Sequence, residues 1–356
     1  MARATLANVD VEIVGAGFAG LACARACAAR GLETIVWERK RDPGDALHTT
    51  GLLVREVADE EEIPLDATRK IHGIRLYGPS LRWIDLDSPG YFFLATDTPA
   101  ILRAFARRAA DAGAEVVWGS EFVGERRARI VVGADGPRSR VARRFGLGVN
   151  RAFLAGVEAE LEGVEGVADR LHVFLDSRRA PGYIGWIVPG VGITQIGLAC
   201  RRPFRPDLDA FIERVGGLVD LSNARRVGRR GGPIPVGGRV RPFASDDAVL
   251  VGDAAGLVSP LTGGGIHSAL RSGHAAGVAI ASHLLDGGLS PSRALADAYA
   301  RYAGKRVLRA MLDLRPPNRL IDAAVCSPWF ADLARAIFFH RRLLTTSGWR
   351  ERISPR

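Results

Sequence analysis

The chain is poor in lysine. It carries 49 basic side chains in 356 residues, yet only Lys40, Lys70 and Lys305 are lysines, so arginine accounts for nearly all of the positive charge behind the net +10. Such charge can favour anionic surfaces, phosphorylated ligands or nucleic acid. No basic segment interleaved with aromatics is present, so nucleic acid is set aside and the arginines are read as spread over solvated faces. Cysteine is scarce too: Cys23, Cys27, Cys200 and Cys326 make no C-x-x-C pair and no Cys/His cluster. This argues against a metal centre or a disulfide framework and for buried thiols acting as small apolar groups. There is no run of about 18 apolar residues, which argues against a membrane-spanning helix. The N-terminus has no leader pattern, which predicts a cytoplasmic protein. At 47% hydrophobic and 25% charged residues, the 356 positions suffice for a large core and two domains.

Glycine, by contrast, is abundant and placed with a pattern. Val9 to Val14 is a short β-branched apolar run, read as a buried strand. Gly15, Gly17 and Gly20 follow at G-x-G-x-x-G spacing, with Phe18 and Ala19 between the last two, and an Ala-rich stretch, Ala19 to Arg30, reads as a helix stopped by Gly31. Gly15 permits a tight turn, Gly17 leaves room for a pyrophosphate against the backbone, and Gly20 lets the helix approach the sheet. The helix N-terminus offers free N–H groups to phosphates. A second strand, Thr34 to Trp37, ends at Glu38, where a carboxylate can hold a ribose. The unit predicts dinucleotide binding without separating FAD from NAD. Arg39, next in the chain, is either laid over an adenine ring or solvated.

Two later stretches repeat the strand–glycine–acid theme. Ile130 to Ala142 places Asp135 and Gly136 at a strand end before a helix, either for ribose hydroxyls or as an Asp-Gly cap. Ala248 to Leu270 places Gly252 and Asp253 at another strand end. Gly263, Gly264 and Gly265 then open a long helix at Ile266, leaving N–H groups free for a phosphate or an electron-rich ring edge. Between these motifs, Phe153 to Leu161, Leu171 to Leu175, Tyr183 to Val188 and Gly192 to Ala199 read as strands of an antiparallel sheet, and 227–238 as a linker returning to the first domain. Thr98-Pro99 reads as a helix start, with Thr98 as cap. From Pro316 onward, Trp329, Phe330, Phe338 and Phe339 mix with Arg335, Arg341 and Arg342. A helix pair packed on the core is favoured there over a surface resting on a membrane.

Together the three stretches resemble the FAD-dependent enzymes of the p-hydroxybenzoate hydroxylase superfamily, and GDAAGLVSPLTGGGIHSA most resembles the geranylgeranyl reductase family. The resemblance spans most of residues 8–286. It implies an α/β fold: a Rossmann-like FAD-binding domain from 1–70, 95–150 and 244–310, an inserted antiparallel β-sheet substrate domain from 71–94 and 151–243, and a helical C-terminal part from 311–356. It also implies FAD contacts at the motif residues above. Arg103 is added because the family often has an arginine at the start of the helix before the third strand, where Thr98 stands here. GYIGWIVP resembles the family's Y-x-W-x-F-P signature in part. Trp186 and Pro189 keep the spacing, while Ile184 takes the tyrosine position and Tyr183 lies one residue early, a shift that turns a strand residue to the other face. Trp186 and Tyr183 are therefore candidate substrate contacts. Some family members have a cysteine in the loop that reads here Leu47-His48-Thr49-Thr50-Gly51. No metal is expected.

The implied activity is reduction of carbon–carbon double bonds in a prenyl or similar apolar substrate by hydride from reduced flavin, with peripheral membrane contact fitting a lipid substrate. The proton donor is unassigned, with His48 and Tyr183 as candidates by chemical type. Electrons would come from NAD(P)H or a ferredoxin-like donor. A flavin monooxygenase of an apolar or aromatic substrate, and a flavoprotein that only binds prenyl lipids, are the alternatives. Oligomeric state is not legible.

Overall fold

The computed structural model describes residues 9–123, 128–325 and 327–339. The first part of the chain runs β1 (Val9–Val14), α1 (Phe18–Ala28), β2 (Thr34–Glu38), β3 (Leu52–Val54), α2 (Arg55–Glu60), β4 (Thr68–Ile71), β5 (Ile74–Tyr77), β6 (Trp83–Leu86), β7 (Phe93–Thr96), α3 (Thr98–Asp111), β8 (Glu115–Trp118), β9 (Ala128–Gly133) and α4 (Arg140–Arg144). It continues with β10 (Phe153–Glu162), β11 (Leu171–Phe174), β12 (Gly185–Pro189), β13 (Thr194–Arg201), α5 (Leu208–Val215), β14 (Arg225–Pro235), β15 (Ala248–Leu250), α6 (Ile266–Asp286), α7 (Pro291–Ala294), α8 (Ala303–Asp313), α9 (Asn318–Val325) and α10 (Pro328–Phe338).

Five strands form a parallel sheet in the order β15-β9-β1-β2-β8. Val11 and Ile13 of β1, the middle strand, are wholly buried, as expected where helices cover a parallel sheet. α1 and α6 pack against each other at glycines. A Cβ at Gly273 would lie 2.1 Å from the Ala19 carbonyl oxygen, and one at Gly277 2.7 Å from that of Cys23. Cys23 and Cys27 are buried beside this contact, and Cys200 is buried elsewhere. Cys326 lies outside the described residues.

A second sheet of seven strands has the order β14-β10-β13-β12-β11-β5-β6, and β3-β7-β4 makes a small third one. The large sheet is antiparallel except where β11 meets β5 in parallel, so it is mixed rather than purely antiparallel. Its edge strand β14 covers most of the segment expected to be a linker. Gly231, Gly232 and Pro233 disfavour a central strand, but at an edge their weak propensity is tolerated. α3 is capped by Asp97, whose side chain accepts from the Ala100 N–H, one residue before the expected Thr98.

The helical C-terminal part begins earlier than 311, because α8 spans that boundary. Ala334 of α10 and Phe339 just beyond it are buried against Ile71, Leu76 and Phe93, so this end packs on the sheets. Val307 and Met311 of α8 and Leu314 just after it are exposed, as is Trp329. Among the described residues no helix is long and apolar enough to cross a membrane. Arg341 and Arg342 lie outside the described residues.

Candidate functional site

The parallel sheet gathers the three motifs. Gly15 follows β1, Glu38 ends β2, Ala134 and Asp135 follow β9, and Asp253 follows β15 by three residues. These are the carboxyl ends of adjacent strands, and the chain order reverses between β1 and β9, the place where open α/β sheets bind ligands. Backbone bonds lace the strand ends together: the Gly15 N–H donates to Trp37 O at 2.8 Å and the Ala134 N–H to Val14 O at 2.9 Å. Asn150 Nδ2 joins the two acidic loops, donating to Pro137 O at 3.1 Å and Asp253 O at 2.8 Å.

Each glycine has a different job. Gly15 has φ +105°, and a Cβ there would lie 2.5 Å from Ala134 O. A Cβ at Gly20 would lie 1.9 Å from Gly15 O, so that position is reserved for packing. Gly17 is the exception. Its backbone is extended and a Cβ would meet nothing within 4 Å, so the protein by itself does not demand glycine there. Only a ligand would make a side chain at Gly17 costly. Neither α1 nor α6 has a side chain capping its N-terminus, so both leave first-turn N–H groups for another partner.

The three acids differ in how far the protein uses them. Glu38 accepts from the Ala16 N–H at 2.8 Å and the Lys40 N–H at 3.0 Å, bracing the glycine loop. Asp135 does part of the work of a cap: Oδ2 accepts from the Arg140 and Val141 N–H groups at 2.6 and 3.2 Å. Its Oδ1 is buried with no partner among the described residues. The Asp253 carboxylate has no hydrogen-bond partner among them, and burial pushes its pKa up to about 6. An unpaired buried oxygen such as Asp135 Oδ1 is costly unless a ligand donates to it.

These loops form one end of a cavity of about 1290 Å³, above the roughly 300–1,000 Å³ typical of small-ligand pockets. The other end is the large sheet. Leu171, Val173 and Val188, with Leu52, Phe93 and Phe338, make it apolar. Trp186, Tyr183 and His48 all line the same cavity. Tyr183 precedes β12 rather than lying in it, so strand parity does not send it to the other face. Its ring is buried next to Gly263, and burial holds its phenol well above the usual range. His48 is exposed, with Nδ1 2.8 Å from the Gly231 carbonyl, to which it donates.

The sheet also presents a residue that the sequence did not reveal. Glu158 of β10 lines the cavity and is 3% exposed. Its Oε2 accepts from Thr50 Oγ1 at 2.7 Å and from Trp186 Nε1 at 3.1 Å. Trp186 is thus held by a carboxylate as well as by packing. Gly197 of β13 sits opposite both residues, and a Cβ there would lie 2.6 Å from the Glu158 Cβ and 2.7 Å from the Trp186 ring. Its absence lets the indole reach across β13. Gln195 Nε2 donates to Thr50 O at 2.9 Å, and Arg230, paired with Glu160, donates to Thr49 O at 2.8 Å.

Of the residues expected to touch a cofactor, Gly15, Gly17, Phe18, Ala19, Glu38, Arg39, Asp135, Gly136, Asp253, Gly264, Gly265 and Ile266 border the cavity. Arg103 does not: its guanidinium is engaged with Asp42 at 2.8–2.9 Å, on the outer side of the 42–45 turn. Gly20 and Gly252 do not border it either and serve packing; Gly252 has φ +53° and abuts Ala19.

A phosphate-directed lobe opening onto an apolar sheet is the arrangement of an FAD-dependent oxidoreductase of the p-hydroxybenzoate hydroxylase superfamily. A family model for an NAD(P)-binding Rossmann-like domain matches residues 13–60. The chain is 32% identical over 306 residues to digeranylgeranylglycerophospholipid reductase 2 of Methanopyrus kandleri, covering 75% of this chain and 76% of that protein. It is 29% identical over 318 residues to the reductase of the same name in Methanosphaera stadtmanae, covering 80% of each. In fold it is similar to a geranylgeranyl bacteriochlorophyll reductase-like protein of Thermoplasma acidophilum, with a TM-score of 0.82, 24% identity and coverage of 93% and 96%. The chain belongs to the geranylgeranyl reductase family, and its cofactor is FAD.

Proposed function

We propose that this protein reduces carbon–carbon double bonds of an isoprenoid lipid. The observation that carries the reading is the continuity of one cavity from phosphate-directed glycine loops to an apolar wall, in a chain similar to enzymes named for reducing such lipids. Bound FAD, once reduced, supplies the hydride. The open backbone at Gly17 and the N–H groups of α1 hold the pyrophosphate. Glu38 and the free Oδ1 of Asp135 accept from ribose hydroxyls, and Asp253 accepts from the hydroxyl chain that leads to the ring. The N–H groups at Gly265 and Ile266, which line the cavity, would be available to hold the electron-rich edge of the bound ring.

The apolar wall takes the lipid. Leu171, Val173, Val188 and Phe338 offer no hydrogen bonds to water, so a prenyl chain displaces it and is fixed by shape. Fixation matters because an isolated alkene is a poor hydride acceptor, and orientation must supply much of the rate.

Anaerobic stopped-flow tests the reading. Dithionite-reduced holoprotein should be reoxidised by geranylgeraniol without oxygen. A protein that is inert to the alkene, but passes through a flavin hydroperoxide band when oxygen is added, is a monooxygenase instead.

A further inference from the structure

The reductase reading leaves the second hydrogen of the product without a source on the protein. We propose that Glu158, a buried carboxyl of a residue that lines the cavity, is the acid that protonates the substrate carbon not attacked by hydride. This rests on the reductase reading of the same site.

The geometry sets the two carboxyl oxygens apart. Thr50 Oγ1 and Trp186 Nε1 both donate to Oε2, at 2.7 and 3.1 Å. Oε1 is buried with no partner among the described residues. A bare anionic oxygen in such a place is costly, whereas a proton on Oε1 removes the charge and creates an O–H donor.

Charged neighbours do not override this. On β14, Arg230 stands opposite Glu158, but its guanidinium pairs with Glu160 and donates to Thr49 O. Glu160, two residues along β10 from Glu158, adds a negative charge. The elements that close the remaining sides bring Thr50, Trp186, Gln195 and Gly197, all neutral. Burial raises the Glu158 pKa, and the bonds from Thr50 and Trp186 and the charge of Arg230 pull the other way without reversing it. The other two candidates are less suited. The Tyr183 phenol is a weaker acid than usual, and His48 is exposed with one ring nitrogen committed to Gly231.

The step balances. A dihydroflavin gives a hydride to one alkene carbon and is oxidised by two electrons. The Glu158 O–H breaks and its proton forms the second C–H bond as the π bond is lost. The carboxylate then regains a proton from water. Trp186, tied to the same carboxyl, places an aromatic ring beside the positive charge that develops on carbon.

Glu158→Gln keeps the shape and the acceptor for Thr50 and Trp186 but has no acidic proton. Infrared spectra of the FAD-free protein at neutral pH should show a protonated-carboxyl band in wild type that the variant lacks. FAD affinity and reduction by dithionite should be unchanged, while reoxidation by geranylgeraniol slows by about 100-fold or more. An unchanged infrared spectrum, an unchanged reoxidation rate, or loss of FAD from the variant would each overturn the assignment. Active wild type with an equally active variant defeats the Glu158 role alone; a wild type that binds FAD yet never reacts with the alkene defeats the reductase reading and this role with it. If Glu158→Gln does not fold, Thr50→Val serves. Removing one donor to the carboxylate should move the band's titration midpoint to higher pH, and an unmoved midpoint counts against the proposal.

Discussion

One wall of the cavity is made of the loops that end β1, β9 and β15; the other is the face of the large sheet between β10 and β12. The loops expose backbone. Gly17 is open, two helix ends are uncapped, and Asp135 keeps one oxygen with no partner among the described residues. The sheet exposes side chains, mostly apolar, around one buried carboxyl. The first wall suits a ligand rich in phosphates and hydroxyls, the second a ligand with neither. Under the function proposed above, the contrast divides the labour: backbone would hold the coenzyme, and side chains would choose the substrate.

Substitutions can break this comparison. The largest effect is expected where glycine serves packing. Gly273→Ala would drive a Cβ to 2.1 Å from Ala19 O, costing about 3 kcal/mol in urea unfolding. Gly17→Val is the counterpart. The FAD-free protein should unfold within about 0.5 kcal/mol of wild type. Its FAD affinity should nevertheless fall at least about 100-fold, roughly 2.8 kcal/mol, read as lost yellow absorbance after desalting. Retained FAD would mean that the open space at Gly17 is not the pyrophosphate seat.

Asp253 comes next. Its folded pKa is raised from 3.8 to about 6, so its contribution to stability is present below the unfolded value and is lost as pH rises through about 6. Asp253→Asn should abolish that fall and be more stable at pH 7 by up to about 2 kcal/mol without FAD, while binding FAD more weakly. Identical pH–stability curves for the two proteins would show that the carboxylate is not desolvated. The smallest effect is expected on the sheet side. The Tyr183 hydroxyl has no hydrogen-bond partner among the described residues, so Tyr183→Phe should change stability by less than about 0.5 kcal/mol and leave alkene reduction intact. A large drop in reoxidation rate would transfer the acid role from Glu158 to Tyr183.

The two walls also differ in how far they could be read in advance. The glycine loops were legible because each is a local event: a strand end, a turn that only glycine tolerates, a helix start. Arg103 shows the limit of that logic, since a residue placed one turn along a helix found Asp42 rather than the cavity. The sheet side was opaque. Glu158, Glu160 and Glu162 alternate along β10 with Val157, Ala159 and Leu161, the pattern of a strand with one solvated face. Nothing local marks one of the three as buried. β14 was missed for a related reason, because its glycines and proline weigh against a strand until its edge position is known.

The sequence by itself determined the dinucleotide lobe, the order of its three motifs and the presence of a second sheet, because strand periodicity and glycine conformation act over a few residues. Only the tertiary structure decided that Gly197 clears a path for Trp186, that Thr50 reaches Glu158 from a loop 108 positions away, and that the other carboxyl oxygen is left alone. Register and burial are set by neighbours distant in the chain, and the electrostatic state of a buried acid depends on all of them at once.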